Sequence, residues 1–458
     1  MCTGATSMMD MFSGLDRHVE RHVQANMREL ARLCRQPSIA AQGLGIRECA
    51  ELVAELLQSR GITAQVFETA GHPVVVGTYG TGERALLLYN HYDVQPPEPL
   101  DRWDTPPFEP VQRDGRFFAR GALDDKGELI SRLAAFDAVR EIYGDLPYRV
   151  TMLIEGEEEI GSPSLEGFIR THRELLTADA CVWEAGEVDY AGRFILYLGL
   201  RGIVDVELRL RTMQEDAHSG LYSHRPNAAW RLVWALNTLK DQQERVLIPG
   251  FYDRARAPTE RQRALLAALS AEEEYEKAAH GIAHYAGGLS GSAVKEAVFM
   301  PTCTINGLWG GYQGEGSKTI VPAEAGCKLD FRLVPDQDPE EVARQLRAHL
   351  DAQGFADIEV LVRPGLRAGV VDPDAPVVKL AAETARAVYG TEPVVSPLDG
   401  GSGPYAYFLE HLQTPIIAAG VGYPGNLAHA PNEHLRIGDW VLGTKHMARI
   451  FVGFSQLQ

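Results

Sequence analysis

The sequence predicts an α/β protein in which a domain with a mostly parallel central sheet flanked by helices is interrupted by an inserted α+β domain. Three observations carry that expectation. Apolar strand-like runs alternate with helix-period segments over the first 200 residues, as expected for a buried sheet covered by helices. Near residue 201 the pattern changes to a strict two-residue alternation, the mark of strands with one wet face. From about residue 373 the first style returns. The expected division is 1–200, 201–367 and 368–458, with the outer two pieces forming one domain.

Taken in order, DRHVERHVQANMRELARLCRQ has helical periodicity and stops before Pro37, after a start expected to fray. IRECAELVAELLQSRG is a second helix closed by Gly61. AQVFETA, PVVVGTYG and ALLLYNHYDV read as strands. KGELISRLAAFDAVREIYG repeats apolar residues at helical spacing and leads into the strand YRVTMLIEG. In IVDVELRLR, Val204, Val206, Leu208 and Leu210 alternate with charges, as in a half-buried antiparallel strand. KLDFRLVP, the helix PEEVARQLRAHLDAQG and DIEVLVRPG complete the inserted module. The stretch 252–297 is charged, mainly helical and expected at the surface. APVVKLAAETARAVYG and TPIIAAGVG then return to helix and buried strand.

A chain of 458 residues is long enough for two or three domains with real cores. Its 44 Lys+Arg against 62 Asp+Glu give a net charge of −18. That balance, with no basic-aromatic stripe, argues against a nucleic-acid partner or an anionic membrane surface. Six cysteines with no CxxC pair argue against a zinc ribbon or a disulfide framework and read as reduced, mostly buried thiols. There is no signal-type h-region and no apolar run of about 18 residues. The expected location is the cytoplasm.

The chemistry gathers where apolar runs end. EGEEEIGS crowds four glutamates into five positions after a core strand, which like charges tolerate only with a cation among them. A charge run alone is ordinarily a solvated loop. Here, however, LLLYNHYDV offers His91 and Asp93, RGALDDKGE offers Asp124 and Asp125, CVWEAGE offers Glu184, and NLAHAPNEH offers His429 and His434. In an open α/β sheet such carboxyl-end exits converge. Asp93, two residues beyond His91, can fix the tautomer of a metal-bound imidazole.

The series NHYDVQP, ARGALDDKGE, EGEEEIGS, DAHSG, KLDFRLVP, GGSG and AHAPNE, kept in order from about residue 20 to the end, resembles the motifs of the M20 family of dinuclear metallopeptidases. The resemblance implies that His91 and Glu184 hold one metal and that Glu159 and His429 hold the other. Asp124 bridges them, and a cis peptide follows it. Glu158 and Asp93 form the catalytic pair, Glu158 as general base. The implied cofactors are two divalent ions per subunit, zinc first, with manganese or cobalt as substitutes; oxygen and imidazole donors without thiolate suit them. The inserted domain becomes a lid and dimerisation domain on a catalytic α/β domain, with His218, Thr319, Arg332 and Ser402 as substrate-binding residues. His218 would serve the partner subunit's site in a homodimer, and Arg332 suits a grip on a carboxylate. GGSG lacks the Gly-Lys-Ser/Thr of a P-loop, and His224 and His434 read as bystanders.

The length of the insert and the spacing of KTIVP and RLVP resemble the carnosinase and cytosolic nonspecific dipeptidase group. The expected activity is therefore cleavage of dipeptides or small peptides with a free C-terminal carboxylate. Deacylation of N-acyl amino acids is the alternative. A non-catalytic metal-binding protein on the same fold would have lost Glu158 or a ligand, and neither is lost.

Overall fold

The structure, a computed structural model, describes residues 4–269 and 273–457 and divides into two compact units. Residues 1–198, 371–397 and 407–458 cluster into the first; 199–370 and 398–406 cluster into the second.

The first unit is built on a six-stranded sheet in the order Thr63–Phe67, Val74–Tyr79, Arg149–Glu155, Ala85–His91, Ala180–Trp183, Ile416–Ala418. The first two strands join antiparallel, and the other four run parallel to one another. Every residue of Ala85–His91 is buried, as a central strand covered on both faces requires. The covering helices include Gly4–Arg35, Ile46–Gln58, Lys126–Tyr143, Pro376–Tyr389 and Ile437–Phe454. The first helix begins at Gly4, well before the expected Asp16.

Two buried polar anchors fix the helix that starts behind the Asp-Asp pair. Lys126, with no solvent exposure, donates Nζ to the carbonyls of Leu33 and Gln36, capping the end of the first helix. Trp440 donates Nε1 to the Gly127 carbonyl at 3.0 Å. The first turn of Lys126–Tyr143 is thereby held from two sides.

The second unit carries a four-stranded antiparallel sheet in the order Thr302–Gly310, Glu324–Leu333, Gly202–Arg211, Glu359–Val362. Val204, Val206, Leu208 and Leu210 all point into its core, as the alternation predicts, and pack with Leu232 of helix Ala228–Leu236 and Leu346 of helix Pro339–Ala352. Burying each such side chain contributes about 1.5–3 kcal/mol. The charged stretch forms the helices Glu260–Ala268, Glu273–His280 and Ser292–Glu296, mostly exposed. Leu266 anchors it against Phe299 and Leu398. The segment Leu398–Ala406 joins this unit through backbone bonds, Asp399 N–H to the Gly199 carbonyl and Arg201 N–H to the Gly401 carbonyl. Cys34, Cys49, Cys181, Cys303 and Cys327 are buried free thiols, and Cys2 lies outside the described residues. Among the described residues no helix is long and apolar enough to cross a membrane.

Candidate metal centre

Parallel register brings the strand exits together. His91 pairs with Glu155 across adjacent parallel strands, and the neighbouring strand Ala180–Trp183 ends one residue before Glu184. The carboxyl ends of three strands therefore open on one side, where open α/β sheets collect ligands.

Two groups of donor atoms result, each within 4.8 Å: His91, Asp125 and Glu184, and Asp124, Glu159 and His429. Asp124 joins them. Its Oδ1 lies 3.1 Å from His91 Nε2 and its Oδ2 lies 2.9 Å from His429 Nε2. His91 Nε2 is 3.9 Å from Glu184 Oε2, and His429 Nε2 is 3.2 Å from Glu159 Oε2. All five residues singled out as ligands thus face one another. Asp125 also falls within reach, but its Oδ2 is already engaged by Asn90 Nδ2 at 2.6 Å and by the His91 backbone N–H at 3.0 Å. Its carboxylate supports the His91 strand end. The Asp124–Asp125 peptide is cis.

The four glutamates divide their work. Glu155 is buried and accepts from Tyr89 Oη and Ser162 Oγ. Glu157 accepts the backbone N–H groups of His72 and Ser164. Glu158 and Glu159 sit on the one-turn helix Glu158–Ile160. Its start is clamped by the Asp93 carboxylate, which accepts from Glu158 N at 3.3 Å and Glu159 N at 3.0 Å. Gly156 lets the chain pass Tyr92, whose hydroxyl would lie 2.2 Å from an added Cβ.

Asp93 does more than expected. His91 Nδ1 lies 3.0 Å from the Asp93 backbone carbonyl and 3.4 Å from its carboxylate, so the carbonyl does most to set the tautomer that leaves Nε2 facing Asp124. Glu159 is steered by Gln95, whose backbone N–H and Nε2 reach its two carboxylate oxygens. Fully buried Glu433 receives the backbone N–H groups of Gly121, Leu123 and Asp124 and pairs with Arg120 at 2.7 Å, moulding the loop that presents Asp124. His429 holds φ at +61°, an uncommon conformation for a residue with a Cβ.

The electrostatics fit a cationic occupant. Burial, then repulsion among the acids, pushes the Glu158 and Glu184 carboxyls well above their ordinary range against the pull of His91. Burial pushes Asp125 up to about 7. Burial also works against ionising Asp124, but hydrogen bonds from His429 and His91 hold its carboxyl below its usual range. Hydrogen bonds to Asp124 and Glu159 raise His429 to about 10. Burial opposes a charge on His91, yet Asp124 and Asp93 raise it well above an ordinary imidazole. The acids thus draw positive charge onto both rings. Buried Glu184 Oε2 has no hydrogen-bond partner, as expected of an oxygen shaped for an ion. The donor set fits divalent cations.

The other candidates lie in the second unit as two pairs. Exposed His218 and Thr319 are neighbours through the short ladder Ala217–His218 with Ile320–Val321. His218 Nδ1 accepts the Gly220 N–H, and Ser219 N–H donates to the Thr319 carbonyl. Arg332 donates Nη1 to Ser402 Oγ at 2.8 Å. His434 is buried, stacks on Phe118 and bonds Tyr423, so its ring is committed to packing. The sequence alone assigns no role to Gln95, Arg120 or Glu433, although each lies inside a quoted motif, NHYDVQP, ARGALDDKGE and AHAPNE.

The chain is similar to known metallopeptidases. The chain is 30% identical over 389 residues to the Cys-Gly metallodipeptidase dug1 of Schizosaccharomyces pombe, covering 81% of each chain. It is 27% identical to the Beta-Ala-His dipeptidase of Homo sapiens, covering 84% of this chain and 78% of that protein. The structure of an M20 family metallo-carboxypeptidase, Sso-CP2 from Sulfolobus solfataricus, matches with a TM-score of 0.91 at 38% identity, over 94% of this chain and 99% of that one. The profile of Peptidase family M20/M25/M40 matches residues 87–452, a span that includes every candidate ligand from His91 to His429. The chain belongs to that family.

Proposed function

We propose that this peptidase hydrolyses the amide bond of dipeptides or small peptides that end in a free carboxylate. The observation that carries the reading is Asp124, set between His91 and His429 with one carboxylate oxygen toward each. His91 and Glu184 would hold one divalent cation and Glu159 and His429 a second, with Asp124 shared. Two such ions, zinc first and manganese or cobalt as substitutes, supply an acidified water and a polarised carbonyl when bound.

Glu158 takes the proton of the attacking water and delivers it to the leaving nitrogen. A raised carboxyl pKa, of the kind burial gives it, suits a group that must both accept and return a proton. Asp93 orients it by clamping the amides of its turn. Arg332, steadied by Ser402, grips the substrate's terminal carboxylate. His218 leaves Nε2 to steady the oxyanion of a partner subunit's site, with Thr319 beside it.

The dipeptidases and the carboxypeptidase among the similar proteins act beside a chain terminus, which supports the substrate class. The second unit is read as a lid and dimerisation domain. Trp230 and Trp234, each 56% exposed, with Ile305 and Leu308 on the edge strand, support a homodimer through it. Five buried free thiols support the cytoplasm.

A panel of dipeptides, tripeptides and N-acyl amino acids, assayed with metal-reconstituted enzyme, tests the substrate class. Free dipeptides are expected to lead in kcat/KM. A clear preference for N-acyl amino acids would replace this reading with that of a deacylase.

A further inference from the structure

The second unit contains a buried cation with no role so far. Arg201, only 8% exposed, stands just before the strand Gly202–Arg211. Its Nη2 donates to the Met300 carbonyl at 2.7 Å and to the carbonyl of Arg332 itself at 3.4 Å. Its own backbone N–H donates to the Gly401 carbonyl at 2.9 Å, one residue before Ser402. Its Nε has no hydrogen-bond partner.

A buried guanidinium normally meets a carboxylate, because an unpaired buried charge is costly. Arg201 meets carbonyls instead, and feels the charge of a second guanidinium. Burial, then the Arg332 charge, lowers it to about 10, against a weaker upward pull from Asp330 and Asp399. Asp330 stands nearer to Arg332, with Oδ1 3.6 Å from Nε, and Asp399 accepts the Gly401 N–H at 2.9 Å. Two cations therefore share incomplete neutralisation, and one of them, Arg332, donates to Ser402 Oγ, which in turn donates to the Gly202 carbonyl at 3.2 Å. Such a locus gains most when an anion arrives.

We infer that Arg201 is a positioning residue for the carboxylate subsite of Arg332, fixing the backbone that carries Arg332 and Ser402 and adding a second, buried positive pole. This rests on the reading of Arg332 as the grip on the substrate's carboxylate. The second pole selects a charged terminus over a neutral one without touching it, since Coulomb attraction acts across a few ångströms of low-dielectric protein.

The test is steady-state kinetics of the zinc-loaded full chain on one dipeptide and its C-terminal amide. The proteins compared are wild type, Arg201→Gln, Arg201→Lys and Arg332→Ala. Arg201→Gln is expected to raise KM for the free dipeptide about tenfold, equivalent to ~1.4 kcal/mol. It should leave KM for the amide and kcat for both nearly as they were. Arg201→Lys keeps the charge and is expected to recover most of that loss. Equal losses on dipeptide and amide, with lysine no better than glutamine, would overturn the inference in favour of a purely structural arginine. Should Arg201→Gln not fold, Arg201→Met takes its place: a KM increase confined to the free dipeptide and absent in Arg201→Lys supports the inference, and one shared with the amide overturns it. If Arg332→Ala treats dipeptide and amide alike, the subsite reading itself fails. If Arg332→Ala separates them and Arg201→Gln does not, only the role of Arg201 fails.

Discussion

Glu158→Gln is expected to lower kcat by roughly 10²–10⁴-fold, the range for losing a positioned general base, while metal content stays at the wild-type level. Glutamine keeps the shape of the side chain, and the turn is held by amide bonds to Asp93 that the substitution does not touch. The neighbouring change should behave differently. Glu159 faces His429 at 3.2 Å and is aimed by Gln95, so Glu159→Gln should lower cation occupancy together with activity. Metal analysis and single-turnover rates on both variants separate the roles. Near-normal turnover by Glu158→Gln would move the base elsewhere along EGEEEIGS.

Arg332→Ala is expected to cost about 2–5 kcal/mol in kcat/KM for peptides with a free C-terminus, as when one partner of a desolvated charge pair is removed. C-terminally amidated analogues should change far less, because they bring no carboxylate to lose. Arg332 is held by Ser402 Oγ at 2.8 Å, and the alanine variant leaves that hydroxyl its bond to the Gly202 carbonyl. Local structure should therefore survive. The ratio of free to amidated substrate, measured for both proteins, is the readout, and an unchanged ratio would remove Arg332 from substrate recognition.

What the sequence makes legible is what neighbours in the chain decide. Burial period marks both sheets, because a fully covered strand and a half-wet one differ within five residues; Ala85–His91 and Gly202–Arg211 show the two patterns. The ligand-type side chains stand out because charge directly after a buried strand is unusual. Their supports do not stand out. Glu433 acts on Asp124 from more than 300 residues away, and Gln95 reaches Glu159 across 64. A glutamate that accepts three backbone amides looks in sequence like any other. The same holds for Ser402, which meets Arg332 only because the loop Leu398–Ala406 lies along Gly199–Arg201. EGEEEIGS signals crowding, but only folding separates the anchors Glu155 and Glu157 from Glu158 and Glu159.

The central claim is that hydrolysis depends on cations held between His91, Asp124, Glu159, Glu184 and His429. Stepwise dialysis against a chelator, with elemental analysis and peptide hydrolysis measured on the same samples, tests it most directly. The account predicts that activity falls to background as bound metal is lost and returns on adding Zn²⁺ or Mn²⁺, saturating at two ions per chain. Full turnover in a sample shown to be free of metal would contradict it.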